Sequence, residues 1–287
     1  VDAATVKNLA ATPHKKKLEE RDGRFFARKD SEERCSFLTP QSLCQLHAEM
    51  GASAKPRGCR QFPFRLTRTP DGIFVGASFY CPSIQDNEGS PLADYRQELE
   101  ELAADLPVWG AEPLVVWRDV RLEWPVYRQL EEFLLAQSEM EVGLAQGLWS
   151  LAQFSLQPGR PLSEYMQKSQ AALEPPEEPF ILMQSHWFKQ LTGQVLKAVA
   201  PAPAEPLERY LRSLIWRKAL LGRRSLLGNL ALLYLVPDLV RFWYAQTGSL
   251  SQALDQCEFK IVTHPNNLDE QIERMGDDFR GQLDAVC

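Results

Sequence analysis

The sequence predicts an α+β chain: a small cysteine-bearing module with a β-hairpin over residues 1–90, then a mostly α-helical region over residues 91–287. Three observations carry this reading. Between residues 35 and 81 the chain is punctuated by Pro40, Gly51, Pro56, Gly58 and Pro63, which keeps every element there short. Within that stretch two β-rich runs flank Thr69-Pro70-Asp71-Gly72, where Pro-Asp-Gly is turn chemistry. After Gly89, apolar residues recur at helical spacing, beginning with Leu92, Tyr95, Leu99 and Leu102. The pattern is compatible with one shared core or with two.

The elements follow in order. Asp2 is a good N-cap for a short helix reaching about Ala11. Residues 14–33 are rich in charge, and Phe25-Phe26 marks the buried part of a short strand. The hairpin pairs Phe64–Arg68 with Ile73–Phe79. A helix from Leu92 stops before Pro107, and Leu114–Trp117 reads as a strand pairing with Val120–Trp124. Helices are expected over about Pro125–Ser138 and Met140–Leu156, with a break at Pro158–Pro161 and a proline-rich linker at Glu174–Pro179. Further helices are expected over about Phe180–Val199, Pro206–Leu221, Ser225–Gln246 and Ser249–Cys257. A charged helix runs from Leu268 to the end. Pro201–Pro206 separates the first two of that set, and no internal repeat is evident.

Composition narrows the function classes. With 287 residues, 44% hydrophobic and 10% aromatic, the chain can bury a sizeable core. A net charge of −6 argues against generic nucleic-acid binding, which expects a basic balance. No stretch approaches the roughly 18 uninterrupted apolar residues of a membrane span. The nearest, Leu226–Val236, contains Gly228 and Asn229, closes at Pro237, and reads as a buried helix. The chain opens on Val1 rather than methionine, so the lack of a leader carries little weight about location.

Six cysteines are present, and four of them, Cys35, Cys44, Cys59 and Cys81, follow the pattern C-x8-C-x14-C-x21-C. Thiolates are soft donors, and four of them fill a tetrahedral zinc site or the corners of an iron–sulfur cluster. Spacing alone leaves two other readings open, buried thiols acting as small hydrophobes and disulfides, and no C-x2-C pair is present. Cys59 precedes the hairpin and Cys81 follows it, so antiparallel pairing is expected to bring these two together.

The neighbours of the cysteines fit a site. His47 lies three residues after Cys44, as a further ligand, an outer-shell partner or a plain polar residue. Arg34, Arg57 and Arg60 would stabilise thiolates or simply be surface charge, and Lys55-Pro56 sets an extended turn. His14, His186 and His264 are isolated and receive no role. Arg209, Arg212, Arg217, Lys218, Arg223 and Arg224 alternate with leucines and read as the wet face of an amphipathic helix. Trp216, Trp243 and Tyr244 read as core. No Ser/His/Asp order, H-E-x-x-H or phosphate loop is present.

The segment from Cys35 to Cys81 resembles the YkgJ-type cysteine-cluster family, zinc- or iron-chelating proteins that include flagellin lysine-N-methylases. The resemblance rests on Cys-Ser-Phe-Leu at 35–38, Cys-Gln-Leu-His at 44–47, Gly51, Lys55-Pro56, Cys59-Arg60, Phe62-Pro63-Phe64 and Ser-Phe-Tyr-Cys-Pro at 78–82. That family opens with a C-x2-C-x2-C-C run that is missing here, and the resemblance implies that the run lies upstream of Val1. It further implies a bacterial, cytoplasmic protein with a chelated zinc or iron–sulfur cluster on Cys35, Cys44, Cys59 and Cys81. The expected function is metal chelation with no assigned reaction. One alternative is S-adenosylmethionine-dependent lysine methylation of a protein substrate, implied by the resemblance alone because no G-x-G-x-x-G loop is present. Another is a metal- or redox-sensing module that binds a protein partner.

Overall fold

The computed structural model describes residues 1–171, 177–195, 202–222, 224–263 and 268–286. Residues 174–176 of the expected linker, 196–199 of an expected helix, Pro201, Arg223, His264 and Cys287 lie outside the described residues. The chain divides into two compact units, Val1–Phe62 with Gln97–Leu102, and Pro63–Arg96 with Ala103–Cys287. The α+β class holds, and the β3–β4 hairpin described below belongs with the helices.

In the small unit, helix α1 (Ala3–Leu9) starts where Asp2 accepts the N–H of Thr5 at 2.9 Å. The other carboxylate oxygen of Asp2 accepts the N–H of Arg57 at 2.8 Å, tying α1 to a segment far along the chain. Strands β1 (Leu18–Arg21) and β2 (Arg24–Ala27) pair antiparallel from Leu18↔Ala27 to Arg21↔Arg24. Their link is Asp22-Gly23, both with positive φ (50° and 72°), the geometry of a two-residue hairpin turn. Sequence reading found Phe25-Phe26 but not its partner strand, and Asp-Gly was the signal for it. Helices α2 (Gln45–Met50) and α3 (Arg57–Gln61) complete the unit with short turns. Its buried apolar cluster is Leu9, Leu18, Phe37 and Leu46, with Val6, Phe25, Ala27 and Cys44 half-buried against it.

The second unit begins with the predicted hairpin, β3 (Phe64–Thr69) and β4 (Gly72–Ala77), in register from Phe64↔Ala77 to Thr69↔Gly72. Next come α4 (Pro82–Gln85), α5 (Arg96–Ala103), whose middle residues count with the small unit, and a second hairpin, β5 (Leu114–Trp117) with β6 (Val120–Leu122). The helices α6 (Trp124–Leu135), α7 (Met140–Leu156) and α8 (Leu162–Ala171) follow as expected. Then α9 (Glu177–Leu182) passes through a π-helical turn at Met183–Trp187 into α10 (Phe188–Thr192). This helix stops short of the expected Val199 because Gly193 takes a left-handed conformation, φ 70°.

Helices α11 (Ala204–Trp216), α12 (Leu226–Thr247), α13 (Leu250–Cys257) and α14 (Asp269–Val286) finish the chain, with a π-helical turn at Glu258–Thr263 after α13. Helix α12 is apolar around most of its circumference from Leu226 to Val240, as helices in a protein core or a membrane are. Ser225 caps its first turn, Gly248 at φ 66° ends it, and Pro237 is carried inside it. By length and composition α12 could cross a membrane, yet 72% of its most apolar window is buried within the protein. Against α12 lies α14, close enough that a Cβ on Gly276 would sit 3.0 Å from the backbone nitrogen of Gly228.

Candidate metal centre

The small unit brings three of the four expected thiols into one neighbourhood. Cys35 is exposed and forms an antiparallel bridge with Lys29. Cys44 is half-buried at the start of α2, bridges to Leu38, and packs on the four-residue core. Cys59 lies in α3. Loss of hydration pushes the Cys59 thiol above its ordinary value, and the charges of Cys35 and Cys44 push the same way, against Lys55 and the Val1 ammonium. Among the described residues, no three or more His, Cys, Asp or Glu side chains are gathered at metal-holding separations. Thiols are the donor type that suits a thiophilic metal.

The remaining expected residues are placed as follows. Cys81 is half-buried at the start of α4, in the second unit. All five cysteines among the described residues are free thiols. His47 is exposed on α2, and His14 sits 2.9 Å from Glu49. Arg34 faces Asp30 and Glu32, both at 3.2 Å, so its charge is answered by carboxylates. Arg57 donates to the carbonyl of Leu102. Arg60 has a buried Nε without an acceptor among the described residues. Cys257 is buried, and its thiol is pushed up to about 12, mainly by desolvation, which makes it inert.

Two buried ion pairs in the second unit escaped sequence reading. Arg217, 6% exposed, grips the fully buried Glu258 with two hydrogen bonds of 2.8 Å each. The same carboxylate accepts from Ser78 at 3.0 Å and Tyr210 at 3.1 Å, while Arg217 also donates to the Ala77 carbonyl at 3.1 Å. Burial opposes the charge on Glu258, but Arg217, Ser78 and Arg65 outweigh it, holding the carboxyl below its ordinary value. Lys218 pairs with Glu131, which also accepts from Tyr127, and its ammonium lies 3.6 Å from the centre of the Phe74 ring. Here burial wins, raising Glu131 and lowering Lys218.

The expectation that Arg217 and Lys218 form a wet face is thus overturned. A signal was available: continuing the apolar positions Leu207, Tyr210, Leu211, Leu214 and Ile215 of α11 by one turn lands on both residues. They mark where the helix stops and the hairpin docks. A Cβ on Gly76 would lie 2.1 Å from the Cβ of Arg217, so only glycine permits this approach. Trp216, expected in the core, is 53% exposed, because α11 ends there and its next residues turn inward.

No protein-family model, curated protein or solved structure matches the chain. The functional reading therefore rests on the residues themselves.

Proposed function

We propose that this chain is a metal-chelating cysteine-cluster protein, binding zinc or an iron–sulfur centre, in keeping with the YkgJ-type resemblance of residues 35–82. The observation that carries the reading is the grouping of Cys35, Cys44 and Cys59 in a unit whose buried apolar cluster is small, Leu9, Leu18, Phe37 and Leu46 with a few half-buried neighbours. A unit of that size with so small a core calls for a staple, and metal thiolate bonds are a common one. Sites of this kind close around the ion as the domain folds, because binding free energy is folding free energy. Cys35, Cys44 and Cys59 would hold the metal as thiolates. When bound, it would supply cross-linking between segments that are far apart in sequence.

The test is elemental analysis of the full chain purified without air, with ultraviolet–visible spectra to separate zinc from iron–sulfur. One metal centre per chain is expected, lost in the Cys35→Ser, Cys44→Ser and Cys59→Ser variants. The Cys81→Ser variant decides independently whether the fourth thiol contributes. Protein that carries neither zinc nor iron, and whose melting temperature ignores added zinc, would defeat the reading.

A further inference from the structure

A cavity of about 540 Å³ opens in the small unit between α1 and the β1–β2 hairpin, within the size range of small-molecule pockets. One wall is a face of α1, where Ala3, Val6 and Lys7 stand three or four residues apart, with Ala10 at the helix end. The two alanines leave room that larger side chains would fill. The other wall is the hairpin from Gly23 to Phe26. Every residue of the lining is exposed or half-buried, so a ligand can reach all of them. Along β2 the side chains alternate: Phe25 packs against the core cluster, while Phe26 lies outside that cluster and remains 43% exposed.

The charge of the lining has one sign. Lys7 and Arg24 are its charged side chains; both are exposed, and neither makes a hydrogen bond or ion pair with another described residue. The Val1 amino group is tied to the Phe25 carbonyl at 2.6 Å. Asp2, next to Val1 and Ala3 in sequence, is occupied by the N–H groups of Thr5 and Arg57. The surroundings lean the same way: residues 1–29 hold eight Lys and Arg against four Asp and Glu, in a chain that holds 32 against 38. That local excess attracts anions in a protein whose net charge repels them. The rest of the lining is Val, Ala, Gly and Phe, so no neutral side chain in it can hydrogen-bond.

We infer that this cavity binds a single-chain anionic amphiphile, of which a fatty-acid anion is the simplest, with the alkyl chain along Val6 and Phe26 and the anionic head on Lys7 and Arg24. An alkyl chain asks only for apolar surface, which is what the walls provide. An ammonium and a guanidinium both form charge-assisted hydrogen bonds with an anionic oxygen. A peptide fits less well, because its backbone amides would lie against apolar walls without partners. A flat bilayer does not fill a concave space. The inference goes beyond the metal reading and does not depend on it, since no thiol lines the cavity.

The experiment titrates the full chain by calorimetry with hexanoate, octanoate and decanoate, and with decyltrimethylammonium as a cation of matching chain length. Saturable binding of decanoate is expected, with affinity rising by up to about fourfold per methylene along the series. Decanoate should bind about tenfold tighter than the cation, the size that two exposed ion pairs supply. Lys7→Glu combined with Arg24→Glu should invert that preference. Phe26→Ala, at an exposed position outside the core cluster, should weaken anion and cation together. No saturation by decanoate at millimolar concentration, an affinity that ignores chain length, equal affinity for anion and cation, or an unchanged preference in the charge-reversed variant would each overturn the inference. Flotation with phosphatidylglycerol vesicles without binding of free decanoate would overturn it in favour of a membrane surface. A dimer in sedimentation that decanoate does not dissociate would give the cavity to a second copy of the chain instead.

Discussion

The two units bury their atoms by different means. The helical unit surrounds α12 with a continuous apolar core and can bury four charged side chains, Arg217, Lys218, Glu131 and Glu258, each with an opposite partner. The cysteine unit has a small buried cluster, Leu9, Leu18, Phe37 and Leu46 with Val6, Phe25 and Ala27 packed against it, and adds polar ties such as Asp2 to the backbone of Thr5 and Arg57. Large cores tolerate buried polar groups because so much surrounding surface has already left water. Small ones need a cross-link or local hydrogen bonds instead. Within the helical unit the contrast recurs between neighbours. Arg217–Glu258 is surrounded by extra donors that favour charge, whereas Lys218–Glu131 is held against a burial cost that disfavours it.

The most severe break in this comparison should come from Arg217→Met. Leaving Glu258 buried without its partner is expected to cost about 3–5 kcal/mol in denaturant unfolding, most of it recovered when Glu258→Leu is added. A single variant as stable as the wild type would mean that Glu258 is not truly sequestered. Leu230→Ala and Leu46→Ala remove equally buried leucines from the two units, each at roughly 2–4 kcal/mol. The first should lower the cooperative unfolding of the helical unit. Hydrogen exchange should show the second acting on α1, α2 and the β1–β2 hairpin alone. Exchange that rises everywhere in both variants would merge the units energetically.

Acid should separate the units more gently. Asp2 is lowered from 3.8 to about 2: burial opposes this, but the N–H groups of Arg57 and Thr5 and the Thr5 hydroxyl donate to the carboxylate. A depressed acid stabilises the fold above its unfolded value and stops doing so as pH falls through the folded value. Asp2→Ala should therefore cost about 1 kcal/mol at neutral pH, with the difference vanishing between about pH 4 and 2. Glu258 shifts in the same direction and should contribute to acid unfolding of the helical unit below its ordinary value of 4.5. The smallest effect is expected for Lys218→Met combined with Glu131→Gln. Burial already presses that pair toward neutrality, so the double variant should fall within about 1 kcal/mol of wild type, while Lys218→Met alone costs more.

Much of the architecture was legible. The Pro-Asp-Gly turn, the Asp2 cap and the apolar spacing of α6, α7 and α12 are local signals, and local hydrogen-bonding rules decide them. The concentration of thiols in the first part of the chain was legible as well, because it is a matter of composition. The Asp22-Gly23 turn is a local signal of the same kind.

What the sequence by itself determined was where helices and turns begin and end, and which stretch carries the thiols, since backbone hydrogen bonding and side-chain periodicity act over a few residues. Tertiary structure alone decided that Glu131 and Glu258 would be the partners of Lys218 and Arg217, 87 and 41 residues away. It also assigned the β3–β4 hairpin, and Cys81 after it, to the helical unit. Those outcomes depend on which faces exclude water together, and burial of that kind is a property of the assembled core, not of any short stretch of chain.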